Sequence, residues 1–483
     1  MQLTLAEIAA ATGGEILGGD PEVAVTSYSI DTRTLAPGAL FVALRAERDG
    51  HDFVADALQR GATGALVSRG LAGAGLVRVD DTAAALSALG RSARDRLGGA
   101  AVIGITGSTG KTSTKDLTAA ALAPAGPVGA SPVSFNNEIG LPLTLLSAPA
   151  GAVAVVAEMG ARGVGHIATL AAVARPTIGV ITNIGMAHTE FFGSREEVAR
   201  AKGELLEALA ADGHAVLNAD DDKTPGLRRR TTASVLTAGV AAVADIRVSG
   251  VRLDDDLRPA FHLDTPWGAI DVPPLPVRGA HQAGNAALAV AVAGLVGVGL
   301  EAAVAGLAGA VGSPWRMDLC RSPAGLTVLN DAYNANPTSM AAAVDALATL
   351  GAGGRRFAVL GPMAELGPHA TEEHHRLGKL VAAAGVETLI VVSGAAGPGA
   401  TPELTALAQG ARESGVDALV VDGPAGAVAV LAPRLAAGDA VLVKASRVAG
   451  LERVAAALLR WSPGGQEGSP RQGRPEPPRD DLP

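Results

Sequence analysis

The sequence predicts an α/β protein of three domains: a small N-terminal α/β domain, a central parallel-sheet domain with a phosphate loop, and a C-terminal Rossmann-like domain. Three observations predict it. The chain has 483 residues, too many for one ordinary hydrophobic core. Short apolar runs alternate with helical stretches along nearly all of it. A glycine-rich segment, GITGSTGKTSTKD (104–116), lies where an apolar run gives way to a helical one.

The first domain is expected over residues 1–98. There LFVAL, GALVS and GLVRV read as strands, and FVADALQRG and TAAALSALGRSARDRL as helices. The central domain is expected over 99–312. AVIGIT, AVAVVAEMG, TIGVITN and HAVLN read as buried strands of a mostly parallel sheet, followed by a polar β-rich insertion at 225–275. The uncharged stretch AGNAALAVAVAGLVGVGL (283–300) has the length of a membrane span. Its Ala and Gly content, with Asn285 inside and Glu301 next, favours packed buried helices. The third domain is expected over 313–461, with RRFAVLG, TLIVVSG, DALVVDG and DAVLVKAS as strands of a second doubly wound sheet. Residues 462–483 are rich in Pro, Gly and charge without apolar periodicity and read as a disordered tail.

Composition excludes some classes. The net charge is −9 and no dense Lys/Arg block exists, which argues against a nucleic-acid partner. Cys320 is the one cysteine, so no intrachain disulfide forms, in keeping with a reducing cytoplasm. The opening MQLTLAEIAAATGGEI carries Glu7 and does not read as a signal peptide. A cytoplasmic, monomeric protein without a membrane span is the expectation.

The segment Gly107-Ser108-Thr109-Gly110-Lys111-Thr112 has the ending of a Walker A loop, although Ile105 stands where the first Walker glycine belongs. Small residues admit backbone N–H groups to phosphates, the helix N-terminus (Lys111 to Ser113) favours anions, and Lys111 brings a cation. The Thr112 hydroxyl suits Mg²⁺. Glu158 ends a strand, at the edge of a parallel sheet where ligands bind; by itself it is equally a strand-terminal Glu meeting solvent. His188 follows another strand and Lys202 sits on an expected helix. A bare ammonium is a poor metal ligand. His281 and Asn285 share a helix start. Arg316, the turn DAYNANP with Asp331, Tyr333, Asn334 and Asn336, and Lys444, Ser446 and Arg447 at a strand end complete the polar constellations.

The segments TGSTGKTSTK, AEMGARGVGHI, TNIGMAHTEFFGS, ARAKGE, GAHQAGNAALA, NDAYNANPTSM and LVKASR occur in this order, and with them the chain resembles the Mur ligase family over nearly all of residues 1–460. FNNEIGLPLTLL, DAYNANPTSM, SIDTRTLAPGALFVAL and RDGHDF point within it to the type that joins D-alanyl-D-alanine to UDP-N-acetylmuramoyl-tripeptide. The resemblance implies an ATP-dependent amide ligase of peptidoglycan precursor synthesis, working through an acyl phosphate, with a UDP-sugar-binding first domain, a central P-loop ATPase domain and a C-terminal ligase domain. It implies two Mg²⁺ sites, around Thr112 with Glu158 and around His188 with a carbamylated Lys202. Lys111, Glu158, His188 and Lys202 would carry the catalysis. Asn285, Arg316, Asp331 and Tyr333 would join the loop residues at the nucleotide. Ser29, Thr32, Arg33, Asn136 and Asn137 would lie near the UDP-sugar, and Asn334, Asn336, Lys444, Ser446 and Arg447 near substrate. The chain departs from the family pattern at Ser134, Gln282, Trp315, Pro362 and Ala445. Another Mur-type or folylpolyglutamate-type ligase, and a non-ligating nucleotide-binding scaffold, are the competing readings.

Overall fold

The computed structural model describes residues 1–71, 73–131, 134–186, 189–350, 353–393 and 401–462. The N-terminal sheet places Ser27–Ser29, Ala39–Val42, Gly64–Val67 and Leu76–Arg78 side by side in parallel, with Glu15–Leu17 antiparallel at the far edge. The following helix, Thr82–Arg96, starts at Asp81, whose carboxylate accepts from the amides of Ala83 and Ala84 at 2.7 and 3.0 Å. That satisfies donors which no helical partner can reach. The helix buries Ala85, Leu86, Leu89 and Ala93. At Gly90 a Cβ would come within 2.8 Å of Pro142, so the missing side chain lets it lie against the helix Gly140–Leu146. One apolar cluster runs through this joint, from Leu5 and Ile8 to Leu141, Leu145, Met159 and Leu205.

The central sheet has nine strands among the described residues. In spatial order they are Val128–Ala130, Ala154–Glu158, Ala101–Thr106, Ile178–Ile181, His214–Asn218, Ser234–Gly239, Ile246–Leu253, Pro259–Thr265 and Gly268–Val272. The first seven are parallel and the last two antiparallel. The segment expected as an insertion therefore continues the sheet. Ile246, Val248, Phe261 and Leu263 alternate inward and share a core with the helix Gln282–Val296, so the edge meander is covered on one face. The uncharged stretch 283–300 is split by Gly297, which leaves the helix at φ +92°, and chain direction changes before Leu300–Leu307. Among the described residues no helix is long and apolar enough to cross a membrane.

The C-terminal sheet orders Asp318–Arg321, Thr327–Asn330, Ala440–Lys444, Arg356–Leu360, Thr388–Ser393 and Asp417–Asp422, all parallel except the first. Several contacts tie it to the central sheet's side, two of them away from the phosphate loop's mouth. The hairpin tip inserts Leu257 into the C-terminal core, with Asp256 paired to Arg321 at 2.7 Å. In the linker, Ser313 donates its hydroxyl to Asp116 of the phosphate-loop helix at 2.8 Å. Of the expected tail, residues 463–483 lie outside the described residues.

Candidate active site

The strand Ala101–Thr106 lies inside the central sheet and ends in Gly107–Gly110, from which the helix Lys111–Leu122 departs. Gly107 has φ +151°, and a Cβ there would fall 1.8 Å from the Thr182 hydroxyl of the next strand's end. Gly110 has φ +79° and would carry a Cβ 3.0 Å from Oδ1 of Asn285. Both positions need glycine for conformation and for space. Asn183 braces the loop: its Oδ1 accepts from the amides of Ser108 at 3.1 Å and Thr109 at 2.9 Å. The Ser108 hydroxyl donates to the Gly185 carbonyl at 3.2 Å and accepts from the Gly185 amide at 2.8 Å. Lys111 folds back over the loop, its Nζ donating to the Gly107 carbonyl at 2.8 Å. Ser113 is half-buried on the first turn.

Glu158 stands at the carboxyl end of its strand and is 1% exposed. Its Oε2 accepts from the Thr112 hydroxyl at 2.8 Å; its Oε1 accepts from Ser134 at 2.7 Å and from the Asn136 side-chain amide at 2.9 Å. Burial disfavours its charge, but the Lys111 and Arg316 cations, helped by Ser134 and Asn136, hold the carboxyl below its ordinary range. Ser134, which departs from the expected Asn, is thus one of the carboxylate's hydrogen-bond donors. Asn136 belongs to this carboxylate cluster, whereas Asn137 turns away and accepts from the amide of Gly140 at 2.8 Å.

Lys202 lies on the helix Arg195–Glu207, capped by Ser194. It is 1% exposed, and among the described residues its Nζ has no hydrogen-bond or ion-pair partner. Burial lowers its pKa well below the usual lysine range; the Lys111 ammonium adds to this, and Glu158 works the other way. His188, expected beside it, lies outside the described residues.

From the C-terminal side, Arg316 reaches across the linker and donates through Nη2 to the Thr112 hydroxyl at 2.9 Å. Its guanidinium lies 4.1 Å from the centre of the Tyr333 ring. The buried Asp331 accepts from Lys444 Nζ at 2.5 Å and from the Met317 amide at 3.0 Å. Lys444 also donates to the Asn334 carbonyl at 2.8 Å, while the Asn334 residue is exposed. Arg447 stacks on Trp315. Ser446 accepts from the Ala364 amide at 2.9 Å, and Asn336 caps the helix Pro337–Thr349 by accepting from the Ser339 amide at 2.9 Å. The side chains of Asn137, Asn336 and Ser446 are thus engaged in holding the backbone.

Ser29, Thr32 and Arg33 are brought together elsewhere, just past the strand Ser27–Ser29. Ser29 donates to the Asp31 carbonyl at 2.9 Å, Thr32 is buried, and Arg33 forms a fork with the Asp31 carboxylate at 2.8 Å. Sequence reasoning missed Asn183 and Asp116. A single Asn after a strand and an Asp on a helix leave no spacing signal that distinguishes them from turn and surface residues.

A phosphate loop at the carboxyl edge of one parallel sheet, bridged by an arginine to the side of a second doubly wound sheet, defines a nucleotide-dependent enzyme whose site draws residues from both. The chain belongs to the Mur ligase family: the Mur ligase middle domain matches residues 105–293, and the Mur ligase glutamate ligase domain matches residues 315–447. It is 42% identical over 503 residues to the UDP-N-acetylmuramoyl-tripeptide–D-alanyl-D-alanine ligase of Mycobacterium bovis, covering 95% of this chain and 98% of the relative. Against the ligase of the same name from Escherichia coli it is 37% identical over 400 residues, 81% of this chain and 86% of the other. The solved MurF of Acinetobacter baumannii matches with TM-score 0.82 at 30% identity, over 95% of this chain and 99% of that one. MurF ligase from Thermotoga maritima, solved in complex with ADP, matches with TM-score 0.74 at 27% identity, over 90% and 97%.

Proposed function

We propose that the chain is an ATP-dependent amide ligase that joins D-alanyl-D-alanine to UDP-N-acetylmuramoyl-tripeptide, the activity its relatives are named for. In this reading ATP transfers its γ-phosphoryl group to the terminal carboxylate of the tripeptide. The dipeptide amine then attacks the acyl phosphate, and phosphate leaves as the amide forms. The observation that carries the reading is the chain of bonds Arg316 to Thr112 to Glu158 beside Lys111, which puts cations and a buried carboxylate at the mouth of the phosphate loop. The loop amides and Lys111 bind and orient the phosphates, and Lys111 and Arg316 offset charge on the moving phosphoryl group. Closure of the C-terminal sheet over the loop excludes water from the acyl phosphate.

The Thr112 hydroxyl and the Glu158 carboxylate are hard oxygen donors and fit Mg²⁺, which when bound would neutralise phosphate charge. Lys202 deepens the reading. A neutral amine, not an ammonium, is the nucleophile towards CO₂; its nitrogen bonds carbon, a proton leaves, and a carboxylate-like anion results. Burial keeps Lys202 in that neutral form, and the nearby Lys111 cation favours the anion. Carbamylated Lys202 with His188 would then serve a second cation. The N-terminal sheet, with Ser29, Thr32 and Arg33, would take the UDP-sugar; Asn285, Asp331 and Tyr333 the nucleoside of ATP; Lys444, the Asn334 turn and Arg447 the reacting peptide ends. The enzyme would act as a cytoplasmic monomer. The test is phosphate release from ATP. It should require both the nucleotide-linked tripeptide and D-alanyl-D-alanine; equal turnover without either acceptor would sink the assignment.

A further inference from the structure

Trp315 has no role in the reading above, yet the backbone is held in an unusual shape to place it. Trp315 and Met317 both have left-handed backbones, φ +58° and +52°, within three residues of linker. Such conformations are costly for bulky side chains and persist where neighbours enforce them. Here the Trp315 carbonyl accepts from the Tyr333 amide at 3.2 Å, and the Met317 amide is bound by Asp331. The linker is thereby pinned to the DAYNANP turn.

The result is a ladder of alternating aromatic rings and guanidinium groups. Arg447 lies 4.3 Å from the Trp315 ring centre and 6.0 Å from that of Tyr333; Arg316 lies 4.1 Å from Tyr333 on its way to Thr112. Stacking fixes the plane of a guanidinium but uses none of its N–H donors. Both arginines keep a buried donor without a hydrogen-bond partner, Nη1 of Arg447 and Nε of Arg316. Arg447, held against the Trp315 ring with Nη1 unbonded, is set to receive an anionic oxygen.

We propose that Trp315 is a positioning residue for the ligation reaction: its indole holds Arg447 so that the guanidinium edge meets an anionic oxygen of the reactants in the interdomain cleft. The oxygen belongs either to a phosphoryl group or to a peptide carboxylate, which share this chemistry. The inference rests on the ligase reading for its kinetic arm and on the stack alone for its spectroscopic arm.

The experiment is a double-mutant cycle with Trp315→Ala and Arg447→Ala, measuring turnover and the KM of each substrate. Each single variant should lose about tenfold in kcat/KM, the size a partly desolvated cation–π contact supports. The double variant should lose little more than Arg447→Ala, and Trp315→Phe should recover most of the loss. A rise in KM confined to ATP would mark the phosphoryl oxygen; one confined to D-alanyl-D-alanine would mark the carboxylate. In a Trp267→Phe, Trp461→Phe background, the single remaining indole should change its emission when Arg447 is replaced by Ala. Additive losses, an unimpaired Trp315→Ala, or emission indifferent to Arg447 would overturn the proposal. Lys111→Ala, run alongside, keeps this failure separate from failure of the ligase assignment, since its turnover should fall whatever Trp315 does.

Discussion

Three lysines among the described residues are almost entirely buried, Lys115 and Lys202 at 1% exposure and Lys444 at 2%, and they offer an internal comparison. Lys115 donates to the Ser131 carbonyl and pairs with Asp116 at 2.8 Å. Lys444 pairs with Asp331 and bonds the Asn334 carbonyl. Lys202 has neither kind of partner among the described residues. Replacing each by Met, an unbranched side chain of similar reach, should therefore give opposite signs. Breaking a buried pair leaves its partner uncompensated and costs about 3–5 kcal/mol. Replacing an unpaired buried ionisable group with a well-packed apolar one is neutral or stabilising by about 1–4 kcal/mol, less a repacking cost below about 1.5 kcal/mol. Lys202→Met should thus range from unchanged in stability to more stable by up to about 3 kcal/mol while losing ligation. The pH dependence has a definite sign. Lys202 has a lowered pKa when folded and an ordinary one, about 10.4, when unfolded. Its penalty is full below the folded pKa, shrinks as pH rises between the two, and vanishes above the unfolded value. The advantage of Lys202→Met should shrink over the same interval. The assay is denaturant unfolding of the full chain in CO₂-free, chelator-treated buffer at a series of pH values. If Lys202→Met is destabilised as much as Lys115→Met and Lys444→Met, Lys202 is a paired structural lysine and the carbamate argument collapses.

Lys111→Ala should lower turnover by about 100- to 1000-fold, the usual cost of removing one preorganised electrostatic group, with the circular dichroism of the folded chain unchanged. Glu158→Gln keeps the shape that Thr112, Ser134 and Asn136 bond but removes the charge; a Mg²⁺ titration of phosphate release should shift to higher concentration, and an unshifted curve would remove Glu158 from the cation site. Lys202→Ala should regain part of its rate in high acetate, which restores an anion. Lys111→Ala, lacking a cation, should gain nothing from the same salt.

Much of the fold was legible because burial on both faces leaves apolar runs, and the strands Ala101–Thr106, Ala154–Glu158 and Ile178–Ile181 are such runs. The edge of the central sheet was misread as an insertion. Its strands bury one face only, so Arg247, Asp264 and Asp271 interrupt the apolar pattern and resemble an exposed module. Within the site, Lys111 and Thr112 were legible because a loop that wraps phosphates constrains several neighbours at once. Asn183 was not, since its bonds to the loop join residues 74 and 75 positions apart in sequence. The Asn136–Asn137 pair shows the limit most directly. Adjacent and identical, one joins the Glu158 carboxylate and the other accepts from the Ile139 and Gly140 amides, and only the path of the backbone separates them.

The distribution of strain follows the same logic. The phosphate loop takes its left-handed turns on Gly107 and Gly110, where they cost little. The linker takes its left-handed turns on Trp315 and Met317, where they are costly, and is held by bonds to Asp331 and Tyr333. Those bonds lie within the C-terminal side, while Arg316 between them reaches Thr112 on the central side. A rotation of the C-terminal sheet therefore carries Trp315, Tyr333, Asp331 and Arg447 as one body and must stretch or break the Arg316–Thr112 bond. Any such rotation would withdraw the arginine from the Thr112–Glu158 pair.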